Sequence, residues 1–323
     1  MPDTILLTGA AGFIGSHLTE RLLDDGASVV GVDNFDPFYD PAEKRANLVT
    51  ASRHPRFTLV EADCADLPGL RNALADREFE VIVHLAAKAG VRPSIEDPMA
   101  YARANLTATQ AVLQLARERE TRRFIFGGSS SVYGNNRKVP FAESDPVTRP
   151  ISPYAATKRA GELLCHTFHH LFGISVLSLR FFTVYGPRQR PDLAIRKFGT
   201  LMLRGEPVPM FGDGSTERDY TWIGDIINGV SSAIRYTAEH PDAFEVINLG
   251  GSRTTDLRRL IQLIGDALGV DPEIRQLPMQ PGDVLRTYAD VSKARSLLGY
   301  DPSTDIEDGI PRFARWLEGH PRP

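Results

Sequence analysis

Tyr154 and Lys158 stand four residues apart in Pro153-Tyr154-Ala155-Ala156-Thr157-Lys158. Residues at that spacing share one face of a helix, so a phenol and an ammonium can address the same locus. A cation beside a phenol favours the phenolate and pulls it below its ordinary pKa of about 10, which lets a tyrosine act as a general base near neutral pH. The run Gly127-Gly128-Ser129-Ser130-Ser131-Val132-Tyr133-Gly134 closes an apolar segment and offers three hydroxyls. Ser129 could hydrogen-bond the oxygen that Tyr154 deprotonates. Standing alone, Tyr-x-x-x-Lys is usually ordinary helix. Its weight here comes from what precedes it.

Thr8-Gly9-Ala10-Ala11-Gly12-Phe13-Ile14-Gly15 lies between a short apolar run and a helix-length segment. Glycines there permit a tight turn, close approach of backbone to a pyrophosphate, and close helix–strand packing. The helix opening at Phe13 and Ile14 then turns its N–H groups on the phosphates. Asp33 ends the second apolar run, where a carboxylate can take both ribose hydroxyls of an adenosine. It would repel a 2′-phosphate, and no arginine follows it, so NAD is favoured over NADP. Asp63, closing the third run, could accept from the adenine amino group or simply end a strand in a turn.

Something must position these groups. Thr4–Thr8, Ser28–Asp33, Phe57–Asp63, Val81–Ala87, Phe124–Gly127 and Ile174–Phe181 read as strands buried on both faces. Helices are expected at about 13–25, 99–119 and 153–172. That alternation implies an α/β fold, a doubly wound parallel sheet of the Rossmann kind. Beyond Phe181 the rhythm breaks, and Gly and Pro between Gly186 and Gly214 suggest mainly loops. Glu245–Gly250 should return to the main sheet. The expected division is therefore 1–181 plus about 224–250 as the cofactor domain. About 182–223 plus 251–323 would form a smaller, discontinuous C-terminal substrate-binding lobe.

Composition narrows the class. With 323 residues, 37 Lys+Arg and 41 Asp+Glu, the net charge of −4 gives no concentrated positive field for nucleic acid or a membrane surface. No apolar run approaches the ~18 residues of a membrane span. The start lacks a basic segment ahead of an apolar stretch, and two distant cysteines, Cys64 and Cys165, fit a reducing cytoplasm. His166, His169 and His170 have a metal-type helical spacing but no matched acidic ligand, so no metal is expected.

Further motifs complete a resemblance. They are His84-Leu85-Ala86-Ala87, Ala89-Gly90-Val91-Arg92, Pro150-Ile151-Ser152, Leu179-Arg180-Phe181-Phe182-Thr183-Val184-Tyr185-Gly186-Pro187, Arg190-Pro191-Asp192, Arg218-Asp219-Tyr220-Thr221 and Gln280-Pro281-Gly282-Asp283-Val284. With the glycine loop and the Ser–Tyr–Lys set, the chain resembles the extended short-chain dehydrogenase/reductases that act on nucleotide sugars. Within them it is most similar to UDP-glucuronate 4-epimerases, over about residues 4–318.

The resemblance implies that Gly9, Gly12, Phe13, Ile14, Gly15, Asp33 and Asp63 hold NAD, with Lys88, Tyr154 and Lys158 around its nicotinamide. Ser129, Tyr154 and Lys158 would be catalytic. Arg92, Ser129, Ser130, Ser131, Thr183 and Arg190 would meet the sugar, Arg218 the diphosphate and Asp283 the nucleoside. A homodimer through a four-helix bundle of helices 99–119 and 153–172 is also implied. A forked guanidinium is the natural receptor for the uronate carboxylate, which makes Arg190 the candidate. The chain departs from the family in carrying Arg188-Gln189 where many such epimerases have Trp-Gly, so either arginine could meet that group. Lys88 stands where Gln is frequent.

Related reactions need groups that are missing here. Sugar 4,6-dehydratases use an Asp-Glu pair where this chain has Ser130-Ser131, and uronate decarboxylases carry Glu at the second position. Epimerisation is therefore favoured, with UDP-glucose/UDP-galactose 4-epimerase as the alternative and decarboxylation third. A non-catalytic NAD sensor would more naturally have lost one of Ser129, Tyr154 and Lys158.

Overall fold

A computed structural model describes residues 2–279 and 284–320. Its centre is a seven-stranded, wholly parallel sheet. The strands are β1 (Thr4–Thr8), β2 (Ser28–Asp33), β3 (Phe57–Glu61), β4 (Val81–His84), β5 (Arg123–Ser129), β6 (Ser175–Phe181) and β7 (Phe244–Leu249), in the spatial order β7-β6-β5-β4-β1-β2-β3. The order reverses beside β1, and in such sheets the crevice outside the strand C-termini at the reversal is the ligand site. Thr8, Asp33, His84 and Ser129 end their strands at that edge.

One apolar layer joins Leu7, Val29, Leu177 and Leu179 to helices Phe13–Asp24 and Ile223–Glu239 through Leu18, Leu22, Ile226 and Val230. The other joins Leu6, Ile82, Phe124 and Val176 to Leu67–Leu74, Ala108–Glu118 and Pro153–Phe172. A third cluster, including Ile195, Phe198, Leu260, Ile264, Phe313 and Leu317, forms outside the sheet from the C-terminal segments.

Three expectations are corrected. β3 is not buried on both faces: it is the sheet's edge strand, and Leu59 and Glu61 are exposed. It and β4 stop at Glu61 and His84, because the chain leaves the sheet there to wall the crevice. The stretch read as mainly loops contains the helix Ala194–Leu203 and the strand Val208–Phe211. Ile195, Phe198 and Met202 recur at helical spacing within it and bury their side chains in the third cluster. The segment expected at 99–119 is helical from Pro98 to Glu118, but residues 102–107 widen into a π-helical turn.

The helix Pro153–Phe172 shows why its start is fixed. Pro153 occupies the first turn, Ser152 Oγ accepts from Ala155 N at 3.1 Å, and Gly173 ends the helix with φ 64°. Gly161 brings it onto the sheet, because a Cβ there would stand 2.4 Å from Phe126 Cζ. Lower down, His166 and His169 pack their rings on Phe244. Gly161→Ala must push this helix off β5, so urea unfolding should show a loss of about 1–3 kcal/mol, the range for overpacking a tight contact.

Candidate active site

A cavity of about 530 Å³ runs along the C-terminal edge of the sheet and reaches Leu193, Arg218 and Thr287. Gly9, Gly12, Phe13, Ile14, Gly15, Asp33, Asp63, Lys88, Ser129, Ser130, Ser131, Tyr154, Lys158, Thr183, Arg190 and Arg218 all line it, so the structure brings nearly every sequence candidate together. Arg92 is the exception. Its guanidinium lies 4.6 Å from the Phe211 ring centroid and it is not in the cavity wall, because the helix Val91–Glu96 carries it past the site. Asp283 lies outside the described residues.

At one end, the glycine loop has the shape a dinucleotide needs. Gly9 has φ 73°, and a Cβ on it would meet Ala86 N at 2.7 Å. A Cβ on Gly15 would fall 2.0 Å from the Gly9 carbonyl oxygen, so helix and loop pack in direct backbone contact. Gly12 caps the helix without a side-chain hydrogen bond, and the first turn holds no acid, which leaves N–H donors for an anion. Asp33 accepts from Ala11 N at 3.0 Å and Phe35 N at 2.9 Å. Burial pushes its carboxyl up, opposed by the Phe35 N–H and by Lys44. Asp63 accepts from Ala65 N and pairs with Arg103 at 2.6 Å, a partner not expected from the spacing. The donor set therefore fits a dinucleotide with a free ribose diol.

At the other end stand the proton-handling groups. Ser129 Oγ is 2.8 Å from Ser131 Oγ, and the Ser129 hydroxyl lies close enough to Tyr154 to act on its phenol. Contrary to the expected lowering, burial holds the Tyr154 phenol above its ordinary value, and Ser129 and the Arg190 charge offset this only in part. Lys158 Nζ donates to the Gly127 carbonyl at 2.7 Å and sits over the Phe126 ring, so its charge is spent on the end of β5. The Arg190 charge also acts on Tyr154.

The two arginines of the Gly186–Asp192 loop separate clearly. Arg188, at φ 63°, turns away to Glu20 at 2.8 Å. Arg190 faces the cavity, its guanidinium held by Asp192 at 2.9 and 2.6 Å and by the Ala89 carbonyl at 2.9 Å, 5.0 Å from the Phe38 ring centroid.

Several functional neighbours escape sequence reasoning. Asn105, inside the π-helical turn, accepts from Lys88 N at 2.8 Å and donates to Lys88 O at 3.0 Å and Thr157 Oγ1 at 2.9 Å. It thereby locks the loop after β4 to the Tyr–Lys helix. Asp36 takes Lys88 Nζ at 2.9 Å, so the cation standing where Gln is frequent is already neutralised. Fully buried Asp219 accepts from Gly251 N, Ser252 N, Ala289 N and Thr221 Oγ1. Its own N–H donates to Thr287 Oγ1 and its carbonyl accepts from Thr183 N, so one residue sets two cavity-lining positions beside Arg218. Its place inside Arg218-Asp219-Tyr220-Thr221 was the available signal.

Lys158 gives a pH-dependent test. Burial pulls its ammonium down to about 8, against Cys165 and Glu162, which raise it. The unfolded chain keeps that proton to about 10.4, so between about 8 and 10.4 the unfolded state binds more protons and this group's contribution to stability rises with pH. At pH 7 the buried ammonium therefore opposes folding. Lys158→Met should cut kcat by about 10²–10⁴ without lowering the unfolding midpoint at pH 7, and the pH-dependent gain above 8 should vanish. Parallel rate and thermal-unfolding series in pH check both.

Known proteins bear on this geometry. The family model described as GDP-mannose 4,6 dehydratase matches residues 6–313. An uncharacterised protein of Methanocaldococcus jannaschii is 43% identical over 97% of this chain and 95% of its own length. A probable UDP-glucuronate 4-epimerase of Rhizobium meliloti is 39% identical over 97% of this chain and 96% of its own. The crystal structure of UDP-glucuronic acid 4-epimerase from Bacillus cereus, in complex with UDP-glucuronic acid and NAD, matches with a TM-score of 0.90 and 36% identity over 98% of this chain and 99% of that one. Fold, cavity and sequence agree: the chain belongs to the nucleotide-sugar branch of the extended short-chain dehydrogenase/reductases, the family that the GDP-mannose 4,6 dehydratase model covers.

Proposed function

We propose that this protein is an NAD-dependent UDP-glucuronate 4-epimerase, interconverting UDP-glucuronate and UDP-galacturonate through a 4-keto sugar. The observation that carries the reading is Arg190 on the cavity wall beside Tyr154, a forked cation where a uronate would place its carboxylate. Relatives and structural neighbours of that activity, similar over nearly the whole chain, support it.

In this reading the glycine loop and Asp33 hold NAD, which when bound supplies the hydride chemistry at C4. Tyr154 takes the 4-hydroxyl proton and keeps it until the sugar oxygen reclaims it. Ser129 donates a hydrogen bond to that oxygen, and Ser131 fixes the Ser129 hydroxyl. Arg190 and the hydroxyls of Ser130 and Thr183 hold the carboxylate so that its C–C bond lies out of line with the ketone, which suppresses loss of CO2. Arg218 and Thr287 anchor the nucleotide while the sugar turns. The acids that line the cavity among the described residues are Asp33, Asp36 and Asp63. Asp33 and Asp63 sit at the ends of β2 and β3, and Asp36 is paired with Lys88, so none takes the place of a dehydratase's acid–base pair.

The nucleotide-sugar lobe in this proposal is residues 182–223 plus 251–323, with 1–181 plus 224–250 as the cofactor domain. A homodimer through the helical run from Pro98 to Glu118 and the helix Pro153–Phe172 is part of the reading, and the exposure of Met99, Leu163 and Leu171 supports it. Free, buried Cys64 and Cys165 accord with a reducing, cytoplasmic setting.

Arg190→Ala tests the assignment. Losing a charge-assisted fork of about 1.5–3 kcal/mol should lower kcat/KM for UDP-glucuronate by about 10–150-fold. Turnover of UDP-glucose should change far less. Equal losses on both sugars, or a wild-type enzyme that turns over only UDP-glucose, would move the assignment to the neutral-hexose epimerase.

A further inference from the structure

Beneath the cavity lies a polar network that neither the glycine loop nor the Ser–Tyr–Lys set uses. Arg180 on β6 is 2% exposed and spends all three arms of its guanidinium. Nε and Nη2 donate to the two carboxylate oxygens of Glu162 at 2.8 and 2.9 Å, and Nη1 donates to the Tyr133 hydroxyl at 2.9 Å. Tyr133 donates onward to Asn248 Oδ1 at 2.7 Å, and Asn248 Nδ2 donates to the carbonyls of Phe141 at 2.9 Å and Asp290 at 3.2 Å.

What these partners carry matters more than their number. Glu162 lies one turn beyond Lys158 and two beyond Tyr154, on the same buried face of the helix Pro153–Phe172. Tyr133 ends the 3-10 turn Ser130–Tyr133, which follows Ser129 directly and bears Ser130 and Ser131. One guanidinium thus joins the helix that holds the base to the turn that holds the serines, and Asn248 on β7 extends the link to the segments at Phe141 and Asp290.

Stability alone does not explain such a pair. Well-packed apolar side chains of similar volume commonly serve a core as well as a buried ion pair, or better. A fork bonded to both carboxylate oxygens does fix something that apolar packing leaves free: the rotation and axial position of the helix relative to β6. The third arm sets the serine turn against the same reference.

We infer that Arg180, acting through Glu162 and Tyr133, is a positioning residue for the reaction, setting the distance between the Tyr154 hydroxyl and the serine hydroxyls across the cavity. It touches neither substrate nor cofactor in this role. A misplacement of about 1 Å at a reacting centre costs on the order of 10²-fold in rate, which sets the scale of the effect.

The experiment uses the whole chain with its cofactor, on whichever of UDP-glucuronate or UDP-glucose the unaltered enzyme turns over, so it does not depend on the sugar assignment. Tyr133→Phe removes one oxygen and leaves the Arg180–Glu162 pair intact. It should lower kcat by about 10-fold, with KM and bound NAD per chain within twofold of the parent. Arg180→Lys keeps the charge but loses the fork and should lower kcat by about 100-fold with the same unchanged KM. The double variant Arg180→Met/Glu162→Met removes both buried charges together and leaves Arg159, which also donates to Glu162 Oε2 at 2.8 Å and is 31% exposed, to solvent. It should unfold at a higher temperature than Arg180→Met alone and still keep the low kcat. Parental kcat in Tyr133→Phe, or in the folded double variant, would overturn the inference, as would a rise in KM with kcat unchanged. If Arg180→Lys does not fold, Tyr133→Phe decides.

Discussion

A buried cation ties the helix that carries Tyr154 to the central sheet. Lys158, fully buried, gives its ammonium to the Gly127 carbonyl at the end of β5. An ammonium out of water is tolerable only where a strong acceptor meets it, so the helix Pro153–Phe172 has little freedom to slide. Gly161 lets the helix lie against Phe126, and Ser152 and Pro153 fix where it begins. Tyr154, one turn before Lys158, then has its height above the sheet decided for it. Tyr154 is thus placed by a charge bound to the end of β5.

Two cations stand at the Tyr154 end of the cavity. Lys158 meets the end of β5, and the Arg190 charge acts on the Tyr154 phenol. Arg190 comes from the Gly186–Asp192 loop, where Asp192 and the Ala89 carbonyl hold it. Among the described residues the cavity offers no unpaired acid at this end, which suits a reaction whose single proton leaves and returns by one group.

The parts of this account that sequence made legible are those with local causes. The glycine loop, Asp33 and the Tyr–Lys helix follow from strand–helix alternation and fixed spacing, and the structure gathers them around one cavity. The edge character of β3 could not be read, because exposure depends on which strand lies beside it. The helix Ala194–Leu203 was hidden by the Gly and Pro around it, although Ile195, Phe198 and Met202 carried its period. Arg92 looked like a substrate contact from its motif, yet its helix takes it to Phe211. The Arg180 network, Asp219 and the Asn105 clamp join segments far apart in the chain, and no spacing rule connects them. The choice between Arg188 and Arg190 needed the loop's path, since residues two apart can point opposite ways.

The most direct test of the central claim, a hydride removed from C4 and returned to it inside a closed site, is incubation with UDP-glucuronate in D2O without added NAD, followed by NMR of the products. The account predicts UDP-galacturonate in equilibrium with substrate, no pentose, and no deuterium at C4 or C5. Deuterium at C4, UDP-xylose as product, or unchanged UDP-glucuronate beside converted UDP-glucose would contradict it.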